Sequence, residues 1–223
     1  MKSQRIVLLH ATPVAMSPVQ EAFKRLWPEA ETVNLLDDGL TIDRNRSENL
    51  DEALCERFIR FGEYGASMNT DGILVTCSAF GPAIDALEQT LDIPVLRPNE
   101  SMFRAAITTG KKIGMLATFA PAVVTMEKEF EQFARQVGSD ATLKTIVVPD
   151  AIDRLRSGDA ETHNRLVAAE AHRLADCDVI MLAHFSTSRA RDAVSAVVDV
   201  PVFTAPDAAV ERMRTMVTLQ KAG

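Results

Sequence analysis

Cys77 and His184 are the side chains of this 223-residue chain best suited to move a proton near neutral pH, and they stand 107 positions apart at matching points of an internal repeat. A thiol and an imidazole have ordinary pKa values on either side of neutrality, separated by about two units. The segment TDGILVTCSAFGPAIDALEQTLDIPVL (70–96) lies over CDVIMLAHFSTSRARDAVSAVVDVPVF (177–203) without a gap. From Asp71 to Met102, eight of the 32 aligned positions are identical, including Asp71 with Asp178, Asp85 with Asp192 and Pro94 with Pro201. The same offset lays RIVLLHA (5–11) over KIGMLAT (112–118), so one register runs from near the N-terminus to the last strand. A duplicated unit with one reactive group per copy implies a site built from two halves.

The surroundings of the two residues fit that chemistry. Cys77 ends the apolar run LVTC and is followed by Ser78, Ala79, Phe80, Gly81 and Pro82, a turn that opens a helix with proline in its first turn. Carboxyl ends of strands line the ligand crevice of doubly wound sheets, and a thiol beside the N–H groups of a helix start is acidified. The competing reading is a buried structural cysteine, since cysteine is among the most buried residue types. His184 follows VIMLA at the same place in the second copy, where it can give or take a proton or simply hydrogen-bond at a strand end. Thr76, Ser78, Ala79, Thr118, Phe119, Ser186 and Thr187 occupy the same strand-end turns, and His10 and Thr12 follow the first strand in HATP. These are the candidates for binding substrate. The hydroxyls among them, beside helix N-termini, suit a carboxylate, and they are equally the residues that cap helices and shape turns.

Such strand ends require parallel strands alternating with helices. Short runs rich in Ile, Val and Leu predict strands at 5–10, 31–36, 72–76, 94–96, 112–117, 143–148, 178–183 and 201–203. Helical periodicity between them marks 17–28, 49–66, 82–91, 122–137 and 161–175. The chain reads as α/β throughout, with two pseudo-symmetric domains, each a mostly parallel sheet flanked by helices, and an interdomain cleft. The first domain is expected to take residues 1–98 plus 206–223 and to carry Cys77, and the second residues 99–205 with His184. The return of 206–220 to the first half follows from its likeness to 99–110 and the preference for neighbouring connections.

Composition narrows the partners. A net charge of −7, spread along the sequence with no basic stripe, disfavours nucleic acid, and the short N-terminal apolar run predicts neither a signal peptide nor a membrane span. A cytoplasmic protein is expected. Cys55, Cys77 and Cys177 form neither a close pair nor a zinc-ligand spacing. His163 and His172 fall on opposite faces of one predicted helix, so no metal site is expected. GxGxxG and GxxxxGK[ST] are absent, which removes the common nucleotide loops.

With TCSAFGPAID at one strand end, LAHFSTSRA at its counterpart and two α/β units in register, the chain resembles the aspartate/glutamate/hydantoin racemase superfamily over nearly its whole length. The resemblance implies a cofactor-independent homodimeric enzyme that acts at a carbon next to a carboxylate, with each half bringing a strand-end residue to a cleft. In racemases of this kind both are typically cysteines. Cys77 matches the first, and His184 stands where the second is expected, preceded by Ala183 where glycine is frequent. Two-base racemisation needs one group to remove the α-proton and another to return one from the far face, and a thiol and an imidazole meet that need with unequal pKa values. The superfamily also includes arylmalonate decarboxylases, which use a single cysteine as proton donor, and maleate isomerases. A lyase built on Cys77 and a non-catalytic carboxylate-binding protein are the alternatives. Phe80, Phe119 and Phe185 in the strand-end turns imply either a more apolar substrate or packing beneath the turns.

Overall fold

A computed structural model describes residues 3–46 and 50–220. The chain divides into two compact units, Met1–Asn99 with Ala209–Gly223, and Glu100–Ala208. In the first unit the elements run β1 (Arg5–His10), α1 (Met16–Leu26), β2 (Glu31–Leu36), α2 (Gly39–Arg46), α3 (Glu52–Ala66), β3 (Gly72–Val75), α4 (Gly81–Thr90) and β4 (Val95–Leu96). The second unit continues with α5 (Glu100–Thr109), β5 (Lys112–Ala117), α6 (Val123–Gln136), β6 (Thr142–Val147), α7 (Ala151–Arg156), α8 (Ala160–Glu170), β7 (Val179–Leu182), α9 (His184–Thr187), α10 (Arg191–Ser195) and β8 (Val202–Thr204). The last helix, α11 (Ala205–Gln220), begins in the second unit and passes into the first.

Each sheet is parallel, in the order β2-β1-β3-β4 and β6-β5-β7-β8. The chain leaves β1 toward one side and returns to β3 on the other, so the order reverses between these two strands, and likewise between β5 and β7. Helices diverge at such a switch point, which opens a crevice at the carboxyl ends of the strands. Cys77 follows β3 and His184 follows β7, each at the carboxyl edge of its sheet. The central strands are sealed on both faces: β3 and β7 are buried throughout, as an all-apolar Val/Ile/Leu run in a parallel sheet requires.

The repeated residues have structural work in common. Asp71 accepts a hydrogen bond from the Arg5 N–H (2.8 Å), and Asp178 accepts from the Lys111 and Lys112 N–H groups (2.8 Å each), pinning the start of β3 to β1 and of β7 to β5. Pro94 and Pro201 supply the carbonyls that receive the Ile73 and Ile180 N–H groups, at 2.8 and 2.9 Å.

Differences from the sequence expectation have local causes. The helix expected over 49–66 starts at Glu52, where the Asp51 side chain accepts from the Leu54 N–H, while Asn49 lies outside the described residues. The helix expected over 161–175 stops at Glu170 and tightens into a 3-10 turn over Ala171–Leu174. That winding stacks Ala171 and Leu174 on one face, and both are fully buried against the sheet. Helices α2 and α7 carry too few apolar residues for a periodic signal; Leu40 and Ala151 are their buried members.

Candidate active site

At the carboxyl edge of the first sheet, β1 ends in a histidine that the solvent does not reach. His10 is 0 % exposed, its Nδ1 lies 2.9 Å from Thr76 Oγ1, and its Nε2 lies 3.0 Å from Asn34 Oδ1. Burial pushes the imidazole below its ordinary pKa, more than the Asn34 bond raises it, so the ring is neutral at pH 7. The Thr76 N–H bonds the Leu9 carbonyl (3.0 Å), carrying the β1–β3 ladder one residue past β3. Cys77 comes next, half-buried in extended backbone (φ −133°, ψ 122°), and caps a 3-10 turn over Ser78–Phe80 that leads into α4. Ser78 and Ala79 are exposed. Phe80 is fully buried and stacks on Phe58 with ring centroids 4.8 Å apart, so it packs beneath the turn. Thr12 is half-buried at the start of the turn after β1, and its side chain makes no capping bond there. Arg97, just past β4, pairs with Asp85 of α4.

The second sheet's edge is built differently. His184 is half-buried in the left-handed region, with φ +67°. A non-glycine residue held there costs about 1–3 kcal/mol, and such strain concentrates at functional sites. Its Nδ1 is buried without a hydrogen-bond partner among the described residues. Burial holds the imidazole below its ordinary value, a shift the nearby Ala183 carbonyl only partly offsets. Behind it, Thr118 and Thr187 are buried and share a hydroxyl–hydroxyl bond of 3.1 Å that ties the end of β5 to α9. Phe185 is buried, whereas Phe119 is 37 % exposed with the Arg156 guanidinium 5.5 Å above its ring. Ser186 is half-buried. Among the described residues, no group of three or more His, Cys, Asp or Glu side chains is placed to hold a metal, and no helix is long and apolar enough to cross a membrane.

The structure thus gathers His10, Thr76, Cys77 and the exposed Ser78 and Ala79 at one strand-end edge, and His184, Thr118, Thr187, Ser186 and Phe119 at the other. Sequence reasoning passed over Asn34. Its signal was present: a polar residue inside the apolar run VNLL of an otherwise regular strand.

Parallel sheets whose strand order reverses at the centre define an α/β protein of a kind that binds ligands outside the carboxyl ends of its strands. The model of the Asp/Glu/Hydantoin racemase family matches residues 16–136, more than half of the chain, and the chain belongs to that family. The matched span includes Cys77 and ends before His184. No curated protein sequence matches. Among solved structures, the chain is similar to allantoin racemase from Klebsiella pneumoniae at 18% identity and a TM-score of 0.73, over 98% of this chain and 89% of that one. It is similar to glutamate racemase RacE1 from Bacillus anthracis at 20% identity and a TM-score of 0.68, over 100% and 84%. Glutamate racemase from Francisella tularensis, solved in complex with D-glutamate, aligns at 14% identity and a TM-score of 0.69, over 99% and 83%.

Proposed function

We propose that the protein is a cofactor-independent racemase of a small carboxylate or hydantoin-type substrate, in which Cys77 and His184 exchange protons with one α-carbon. The observation that carries this reading is His184 itself. It occupies the repeat position of Cys77, its backbone is held in a costly left-handed conformation, and its Nδ1 is buried with no partner among the described residues.

The balance of the reaction follows from the state of the imidazole. Neutral His184 takes the α-proton, electrons from the broken C–H bond delocalise into the adjoining carbonyl group, and the Cys77 thiol returns a proton to the other face. The reverse direction starts from the thiolate and imidazolium. N–H groups at the strand-end turns, with the hydroxyls of Ser78 and Ser186, are suited to hold the substrate carboxylate and the developing enolate charge. D-glutamate bound to the Francisella tularensis enzyme supports a substrate of this size and charge.

Solvent deuterium incorporation at the α-carbon of aspartate, glutamate, allantoin and substituted hydantoins tests the proposal. Exchange with inversion on one of these, lost in Cys77→Ser, is the expected result. Full activity in Cys77→Ser contradicts it, and carbon dioxide release from an arylmalonate without exchange on the panel selects the lyase instead.

A further inference from the structure

We infer that His10 is a positioning residue, which acts through Thr76 to fix the backbone that carries Cys77 rather than by touching substrate. This rests on the assignment of Cys77 to the reaction. Three residues remote in sequence carry the argument: His10 ends β1, Asn34 lies in β2, and Thr76 follows β3. Their hydrogen bonds cross the sheet at its carboxyl edge, immediately before Cys77, at 2.9 and 3.0 Å. The ring is fully buried, so it is out of reach of a ligand.

The direction of the bonds is set by what each partner has to offer. Asn34 presents its carbonyl oxygen, so His10 Nε2–H donates to it, and the neutral ring then accepts the Thr76 O–H at Nδ1. The Leu9 carbonyl receives the Thr76 N–H and, at 3.1 Å, is a second acceptor for the Thr76 O–H, so both polar groups of Thr76 are tied to β1 whichever acceptor holds that proton. The residue before Cys77 therefore has its main chain and its side chain fixed at once.

The second sheet serves as an internal control. By the repeat, His10 and Thr76 correspond to Ala117 and Ala183. Asn34 faces Leu8 in the strand register as Thr145 faces Met115, which makes Thr145 the counterpart of Asn34. Thr145 Oγ1 is buried without a partner among the described residues. The three-residue network is thus confined to the sheet that carries the thiol, although the strands around it are the same.

The test compares the intact protein with His10→Ala, His10→Asn, His10→Gln and Thr76→Val. Asparagine places a carbonyl oxygen near the site of Nδ1 and restores the Thr76 bond; glutamine reaches the site of Nε2 and restores only the Asn34 bond. On whichever substrate exchanges deuterium, His10→Ala and Thr76→Val are expected to lower kcat about 10- to 100-fold with KM unchanged. The double variant should be no worse than either single one, and His10→Asn should recover more than His10→Gln. Amide hydrogen exchange, which needs no substrate, should rise in the peptide spanning Thr76 and Cys77 but not in that spanning Ala183 and His184. Unchanged kcat in Thr76→Val, additive losses, or equal recovery by Asn and Gln overturns the inference. If Cys77→Ser retains full activity, the racemase reading fails separately, while the exchange of the Thr76 amide still reports on the network.

Discussion

Just before Cys77 stands a buried threonine bonded to a buried histidine; just before His184 stands an alanine. The two edges share strand order, register and the aspartates that clamp their strand starts, yet they hold their reactive residues by different means. In the first sheet a hydrogen-bonded network stiffens extended backbone, and Phe80 packs the turn from below. In the second, His184 carries its own backbone strain, and the hydroxyls of Thr118 and Thr187 stand where the first sheet has Ala11 and Phe80. The repeated register preserves strand order while these positions differ, so one fold presents a thiol after a hydrogen-bonded strand end and an imidazole on left-handed backbone.

Removing either reactive group should have the strongest effect. Cys77→Ser is expected to lower racemisation about 10²- to 10⁴-fold, the range of a positioned acid or base, and His184→Asn to do the same, as measured by loss of optical rotation from a single enantiomer. Structural breaks follow. Phe80→Ala removes a fully buried ring stacked on Phe58 and should destabilise the protein by about 3–5 kcal/mol in urea unfolding. At the equivalent position, Thr187→Val strands the buried Thr118 hydroxyl and should cost about 1–3 kcal/mol, with the double change Thr118→Val/Thr187→Val costing less than the single one.

A pH effect sharpens the contrast between the units. Burial lowers the pKa of His10 in the first unit and of His163 and His184 in the second. The unfolded chain, with histidines near about 6.5, then binds more protons than the folded one as pH falls. Stability is therefore full above about pH 6.5 and declines as pH drops toward the folded-state values. His163 Nε2 is buried without a partner among the described residues, so His163→Leu should flatten the fall in Tm between about pH 7 and 5. An unaltered slope would show that the imidazole is not the group responsible. Turnover should fall over the same acid range, since His184 must be neutral to accept a proton.

Much of the scaffold was legible in the sequence because parallel strands buried on both faces leave continuous apolar runs, and a gapless repeat places one copy's strand ends on the other's. Cys77 and His184 stood out by the same register. Local backbone was not legible: nothing in LAHFST signals a left-handed histidine where glycine would be at ease. The His10 network escaped because its members lie 24 and 66 positions apart and meet only through strand register. Polar helices such as α2, with little apolar face to bury, leave no period to read.

Deuterium wash-in from each separate enantiomer separates the proposed roles of Cys77 and His184 at one α-carbon. In His184→Asn, only the enantiomer whose α-proton faces Cys77 should exchange, without inversion; in Cys77→Ser, only the opposite enantiomer should. Racemisation persisting in either variant, or equal labelling of both enantiomers by one of them, would contradict a two-base reaction at Cys77 and His184.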